Sequence, residues 1–145
     1  MADDVRVVVV GIDGSGPSLF ALRAAVNEAQ RRDAHLHVVH VADYTPAMLH
    51  LPGGTIVDTA DIAAARRREV WERAEQALAG IGNVERVDLD GYPADTLVDY
   101  CQEVAADLLV LGTRGRGRMA STFLGSTSLR ALERAHCDVL IAKPR

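Results

Sequence analysis

The stretch Val5 to Gly11, VRVVVVG, constrains this chain more than any other segment. β-Branched residues favour extended backbone, and a run with almost no polar alternation can leave neither face in water. Such a strand belongs in the middle of a parallel sheet, with helices packed on both sides. The residues that follow supply the covers. Ser15 and Gly16 can cap a helix, Pro17 suits its first turn, and Leu19, Leu22, Val26 and Ala29 recur at helical spacing to about Arg32. His35 to Val41 predicts a second strand. Asp58 to Ala79 predicts a second helix with Val70, Ala74 and Leu78 on one face, and Glu69 set four residues before Arg73.

Val84 to Leu89 is half polar and predicts a third strand nearer a sheet edge. Gly91-Tyr92-Pro93 turns the chain into a third helix, whose buried stripe is Leu97, Val98, Cys101, Val104 and Ala105. Leu108 to Gly112 predicts a fourth strand, Gly125 to Ala135 a fourth helix, and Asp138 to Ala142 a fifth strand. Alternating strands and helices imply right-handed crossovers and an α/β fold, a parallel sheet with helices on both faces. No composition shift or repeat divides the chain, so residues 1–145 are expected to form a single domain. One segment breaks the pattern: Asp43 to Val57, with two prolines and adjacent glycines, predicts a long loop, either a lid or binding loop beside a ligand or a plain crossover.

Composition narrows the function. The 145 residues are 48% hydrophobic and 25% charged, which excludes disordered and fibrous chains. A net charge of -4 argues against coating nucleic acid or an anionic membrane, so any bound anion must be met by a local site. The short apolar run near the N-terminus, with no cationic segment ahead of it, predicts no export and a cytoplasmic protein. Cys101 and Cys137 are too few for a disulfide framework and read as packing residues in a reducing compartment.

Ligands of open parallel sheets bind beyond the carboxyl ends of the strands, so the segments after strands carry the chemistry. After the first strand comes Gly11-Ile12-Asp13-Gly14-Ser15-Gly16, an acid among small residues just before a helix. Asp13 could accept a ribose hydroxyl or help hold a metal ion, and it could equally be a turn residue. After the fourth strand comes Gly112-Thr-Arg114-Gly115-Arg116-Gly117-Arg118, ending in Gly125-Ser126-Thr127-Ser128. No acid lies between Leu108 and Leu132, whereas Arg114, Arg116, Arg118 and Arg130 add positive charge. Glycine-rich backbone and a helix start favour an anion, with Ser126 and Thr127 as hydroxyl donors; phosphate is the natural ligand, and a solvated basic loop is the other reading.

Walker, zinc-protease, hydrolase-elbow and Cys/His metal patterns are all missing from the sequence. Gly115, Gly117 and Ala120 match a dinucleotide fingerprint, but the acid that should hold the ribose is lacking. His35, His37 and His40 alternate along a strand, with His37 facing opposite to His40, and Arg66, Arg67 and Arg68 read as a solvated helix face. Trp71 and Tyr100 read as packing residues.

Taken together, these residues resemble the universal stress protein family, in its ATP-binding branch. The family signature G-x2-G-x9-G-[ST] is met by Gly112, Gly115, Gly125 and Ser126, and the likeness extends through VVVVGIDGS, VVHV, Gly91-Tyr-Pro93, ADLLVLGTRGRG, FLGSTS and CDVLI. The resemblance implies a Rossmann-like five-stranded parallel sheet, related to adenine nucleotide alpha-hydrolases, with predicted strands in the order 3-2-1-4-5. By similarity Val41 and the region after the first strand, Gly11, Gly14 and Ser15, would meet adenine; Asp13 would serve the nucleoside end and a magnesium ion. Gly112, Gly115, Gly125, Ser126 and Thr127, with Arg114 and Arg116 beside them, would hold the phosphates. The implied protein is an ATP-binding stress-response regulator with slow or no hydrolysis, and cyclic AMP is the alternative ligand. The family also implies a homodimer through Asp138 to Ala142, although Asp138 stands where proline is frequent. An ATP pyrophosphatase of the wider superfamily is disfavoured because SGGxDS is absent after the first strand.

Overall fold

The computed structural model describes residues 7–43, 48–113 and 124–144. In chain order the elements are β1 (Val7–Ile12), α1 (Gly16–Arg31), β2 (His35–Ala42), β3 (Met48–His50), β4 (Ile56–Asp58) and α2 (Thr59–Leu78). They continue with β5 (Val84–Asp90), α3 (Pro93–Glu103), β6 (Leu108–Gly112), α4 (Ser126–Arg134) and β7 (Asp138–Ala142). Five strands form one parallel sheet in the order β5-β2-β1-β6-β7. The two strands of a small hairpin intervene in the numbering, so this is the expected order 3-2-1-4-5. Register places Val10 beside both Val38 and Val110, with β1 at the centre.

The valine run does what its composition demands, because alternate residues enter two separate cores. Val8 and Val10 pack with Leu36 and Val38 under Leu22 and Val26 of α1 and Val70 and Leu78 of α2. Val9 packs with Val39, Leu109 and Leu111 under Leu97, Val98 and Cys101 of α3 and Ala131 of α4. Cys101 is buried there, and loss of water pushes its thiol up to about 12, with Cys137 as a neighbour. It is a protonated packing group, as expected from its place in the stripe.

The sheet edges differ. β5 alternates Val84, Val87 and Leu89 with charged residues, and Arg86 forms an ion pair with Glu75 of α2. At the other edge, β7 carries Val139, Leu140 and Ile141, all half-buried. Across the α3–α4 layer, Asp95 accepts from Arg130 Nε at 2.9 Å and from Arg134, and these cations hold its carboxyl below the usual range. Arg130 therefore serves helix packing and is drawn away from the basic loop to which its sequence position assigned it.

The Asp43 to Val57 segment is not the structureless loop expected. Met48–His50 pairs antiparallel with Ile56–Asp58, closed by Leu51 N–H donating to Thr55 O at 2.7 Å. Pro52, Gly53 and Gly54, among the residues that suggested a loop, lie in the turn, where the two glycines take φ of 94° and 86°. Three-residue strands are too short to show a period of two in the sequence. Asp58 then caps α2, accepting from Ala60 N–H at 2.9 Å.

Two substitutions test this packing. Leu109 is fully buried, so Leu109→Ala should lower unfolding free energy by about 2–5 kcal/mol in urea denaturation. Gly112 faces the backbone of α1: an added Cβ would lie 2.7 Å from the Pro17 carbonyl oxygen. Gly112→Ala should therefore cost about 1–3 kcal/mol through overpacking. At Gly16 an added Cβ meets nothing within 4 Å, so Gly16→Ala should leave stability equal or slightly raised in the same assay.

Candidate functional site

At the carboxyl ends of the strands the connections diverge: β1 leads to α1 on one face, and β6 leads to α4 on the other. A cavity of about 380 Å³ opens between them. One wall is built by Gly11, Ile12 and Asp13 with Ser18, and the facing wall by Leu111, Gly112 and Gly125 to Ser128. The far end is formed by β2 from Val39 to Ala42 and the following Asp43, by Ala63 and Arg66 of α2, and by Pro93 and Leu97 of α3.

The first wall is fixed by local hydrogen bonds. Asp13 Oδ1 accepts from Ser15 N–H at 2.9 Å, across a turn in which Gly14 takes φ of 81°. Ser15 Oγ then caps α1 by accepting from Ser18 N–H at 3.3 Å. Ser18 Oγ donates to Ser15 O and accepts from Asp13 N–H at 3.2 Å, and Arg73 of α2 donates to Gly14 O at 2.9 Å. These bonds hold Asp13 at the cavity. At Gly11 an added Cβ would lie 2.8 Å from Leu97 Cδ1, so that side-chain tip would have to shift.

The second wall is an open helix start. Gly125 is the N-cap of α4 and has no side chain with which to bond the first turn. The first-turn amide groups, those of Ser126 and Thr127 among them, have no partner within the helix, and with the aligned peptide dipoles they make the position attractive to an anion. Ser128 Oγ donates to Gly112 O at 2.7 Å and ties the helix start to the strand end, while Gly125 N–H donates to Thr113 O at 2.8 Å.

The structure thus brings Gly11, Asp13, Val41, Gly112, Gly125, Ser126 and Thr127 to one cavity. Gly14 and Ser15 act behind the wall as turn and cap, and Ser18 lines it in their place. Arg114, Gly115 and Arg116 lie outside the described residues. Sequence reasoning missed Arg66, His40 and Ser18. Arg66 and Arg68 are exposed, as the solvated-face reading expects, but Arg66 also lines the cavity, and half-buried Arg67 pairs with Asp88 and Asp90 at 3.3 and 3.2 Å. The missed signal was topological, because a helix crossing from β2 to its neighbour must pass over the end of β2.

The histidines separate as expected. His37 Nδ1 meets Tyr100 Oη at 2.8 Å on the α3 side, and burial lowers its pKa. His40 meets Asp88 at 3.2 Å on the α2 side. Among the described residues no group of three or more His, Cys, Asp or Glu could hold a metal ion, and no helix is long and apolar enough to cross a membrane.

The arrangement has close counterparts among known proteins. A universal stress protein of Methanocaldococcus jannaschii is 30% identical over 95% of this chain and 82% of its own length. Another from Thermus aquaticus is 33% identical over 95% and 98% of the two chains. Among solved structures, a universal stress protein in complex with cAMP is 30% identical and superposes with a TM-score of 0.64, covering 97% of this chain and 98% of that one. One from Archaeoglobus fulgidus in complex with dAMP is 25% identical with a TM-score of 0.68, covering 95% and 98%. The profile described as "Universal stress protein family" matches residues 5–143, and with relatives of this identity and coverage the chain belongs to that family.

Proposed function

We propose that this protein binds an adenine nucleotide in the cavity and acts as a nucleotide-responsive regulator rather than a catalyst. The observation that carries the reading is the pairing of two unlike walls. An uncapped helix start suited to phosphate faces Asp13, a carboxylate suited to sugar hydroxyls. Binding of adenine monophosphates by similar proteins supports the same ligand class.

ATP is the leading ligand. Gly112, Gly125, Ser126 and Thr127 would meet its phosphates, joined by Arg114, Gly115 and Arg116, while Asp13 and Val41 with Gly11 would meet the nucleoside. Cyclic AMP is the second reading, favoured by the cAMP complex of a 30% identical protein. A magnesium ion fits only as part of a metal–phosphate unit. Asp13 is a single carboxylate, so the phosphates would supply most ligands of the ion. When bound, the ion neutralises phosphate charge. Asp13 is committed to the turn, which suits holding a sugar better than activating water.

Isothermal titration of the purified protein with ATP, AMP and cAMP, with and without magnesium, tests the reading. Saturable heat is expected for at least one of them, and its absence for all three overturns it. A charge placed at the helix start separates fold from function. Ser126→Asp should raise stability by about 0.3–1 kcal/mol through the helix dipole while lowering nucleotide affinity at least tenfold.

The regulator is further proposed to work as a homodimer through β7 in the cytoplasm. The apolar β7 edge and the neighbouring α4 residues Leu129 and Leu132, 49% and 43% exposed, support this surface. Sedimentation should give twice the chain mass, and Leu132→Glu should shift it toward one chain with little loss of stability.

A further inference from the structure

We propose that Cys101 and Cys137 form a reversible disulfide when the protein meets a hydroperoxide, cross-linking α3 to the start of β7. The pair sits at the end of the sheet opposite the cavity, so nucleotide binding has no part in it. Cys101 O accepts from Ala106 N–H at 2.8 Å, where the chain leaves α3 and turns back into β6 at Leu108. Cys137 immediately precedes β7, whose Asp138 is in register with Leu108. Both cysteines therefore stand at the amino ends of neighbouring strands, whereas the cavity lies at the carboxyl ends.

Their side chains enter the same core. Cys137 alternates in phase with Val139 and Ile141, and all three pack against the cluster that holds Leu97, Val98, Leu109 and Cys101. Cys101 is 5% exposed and Cys137 half-buried, so a small oxidant arriving from solvent reaches Cys137 first. Burial raises both thiols, Cys101 to about 12, and Asp138 adds to the rise at Cys137. The two sulfurs share a hydrogen bond, with the Cys101 S–H donating to Cys137 Sγ; it holds back ionisation of Cys101 and eases that of Cys137.

Exposure and hydrogen bonding thus give the two thiols different roles. Cys137 ionises first, and its thiolate attacks one peroxide oxygen, breaking the O–O bond to give a sulfenic acid and hydroxide. The Cys101 sulfur then attacks the sulfenic sulfur; the S–S bond forms, and the Cys101 proton leaves with the sulfenic oxygen as water. The proton lost earlier by Cys137 combines with the hydroxide, so two thiols and one hydrogen peroxide give one disulfide and two waters. The sulfurs lose two electrons and the peroxide gains them. The cross-link closes a loop from Gln102 to His136, which carries β6, α4 and the Gly125 to Ser128 wall of the cavity. Constraining that loop in the unfolded chain favours the folded one.

Hydrogen peroxide treatment of the full chain, then denaturation and alkylation of free thiols, is read by intact mass and peptide mapping before and after dithiothreitol. The product should be a single chain two hydrogens lighter than the reduced protein, with the Cys101 and Cys137 peptides joined and both thiols restored by dithiothreitol. In urea the oxidised form should unfold at a midpoint about 1 M or more above the reduced form. Cys101→Ser should stop at the sulfenic acid, trapped by dimedone at Cys137, while Cys137→Ser should leave Cys101 reduced. The wild-type mass and midpoint do not depend on how well either variant folds. Two free thiols after peroxide, a disulfide between chains, oxidation of Cys137 beyond the sulfenic acid with Cys101 left free, or a midpoint at or below that of the reduced protein overturns the proposal.

Discussion

Everything in this molecule follows from the need to keep both faces of β1 dry. Val8 and Val10 point into one core and Val9 into the other, and all are fully buried. A strand with two apolar faces requires two helical layers, and covering both layers forces the chain to leave the sheet in opposite directions from neighbouring strands. The cavity is the space that this divergence leaves open. Its position is therefore a result of packing, and the chemistry is added by the few residues at the strand ends.

Those residues are held by fold-level contacts as much as by any ligand. Gly112 is small because Pro17 of α1 packs against its backbone, and Gly11 because Leu97 of α3 does the same from the other layer. The glycines at the strand ends thus permit close approach of two helices while lining the cavity. Ser128 shows the principle from the other side: its hydroxyl satisfies the Gly112 carbonyl and brings the start of α4 to the end of β6. Stability and ligand access share these positions, so their substitution affects both.

Most of this was legible in the sequence. The five sheet strands and the four helices were marked by periodicity, caps and prolines, and the sheet order came with the family resemblance. The candidate wall residues Asp13, Gly112, Gly125, Ser126 and Thr127 were found because they follow strands. What escaped was set by tertiary contact. Arg130 carried the right charge in the right segment but is bound by Asp95 across the helix layer. Arg66 is exposed like its neighbour Arg68, and only the path of α2 over the end of β2 makes it part of the cavity wall. His40 was one histidine among three until Asp88 and Trp71 gave it surroundings. The hairpin of β3 and β4 was hidden because its strands are shorter than the window in which alternation can be recognised.

The unlike borders of the sheet set a ceiling on growth. The β5 border is lined with fixed charge, including Glu85, Arg86, Asp88 and Asp90, whereas the β7 border is aliphatic. A further sheet could add hydrogen bonds at β5 only by stripping water from those ions, which is unfavourable. In the proposed dimer, contact through the aliphatic border would use that border up in both molecules. Sheet-to-sheet joining would then stop after one step, without a separate guard element against fibres.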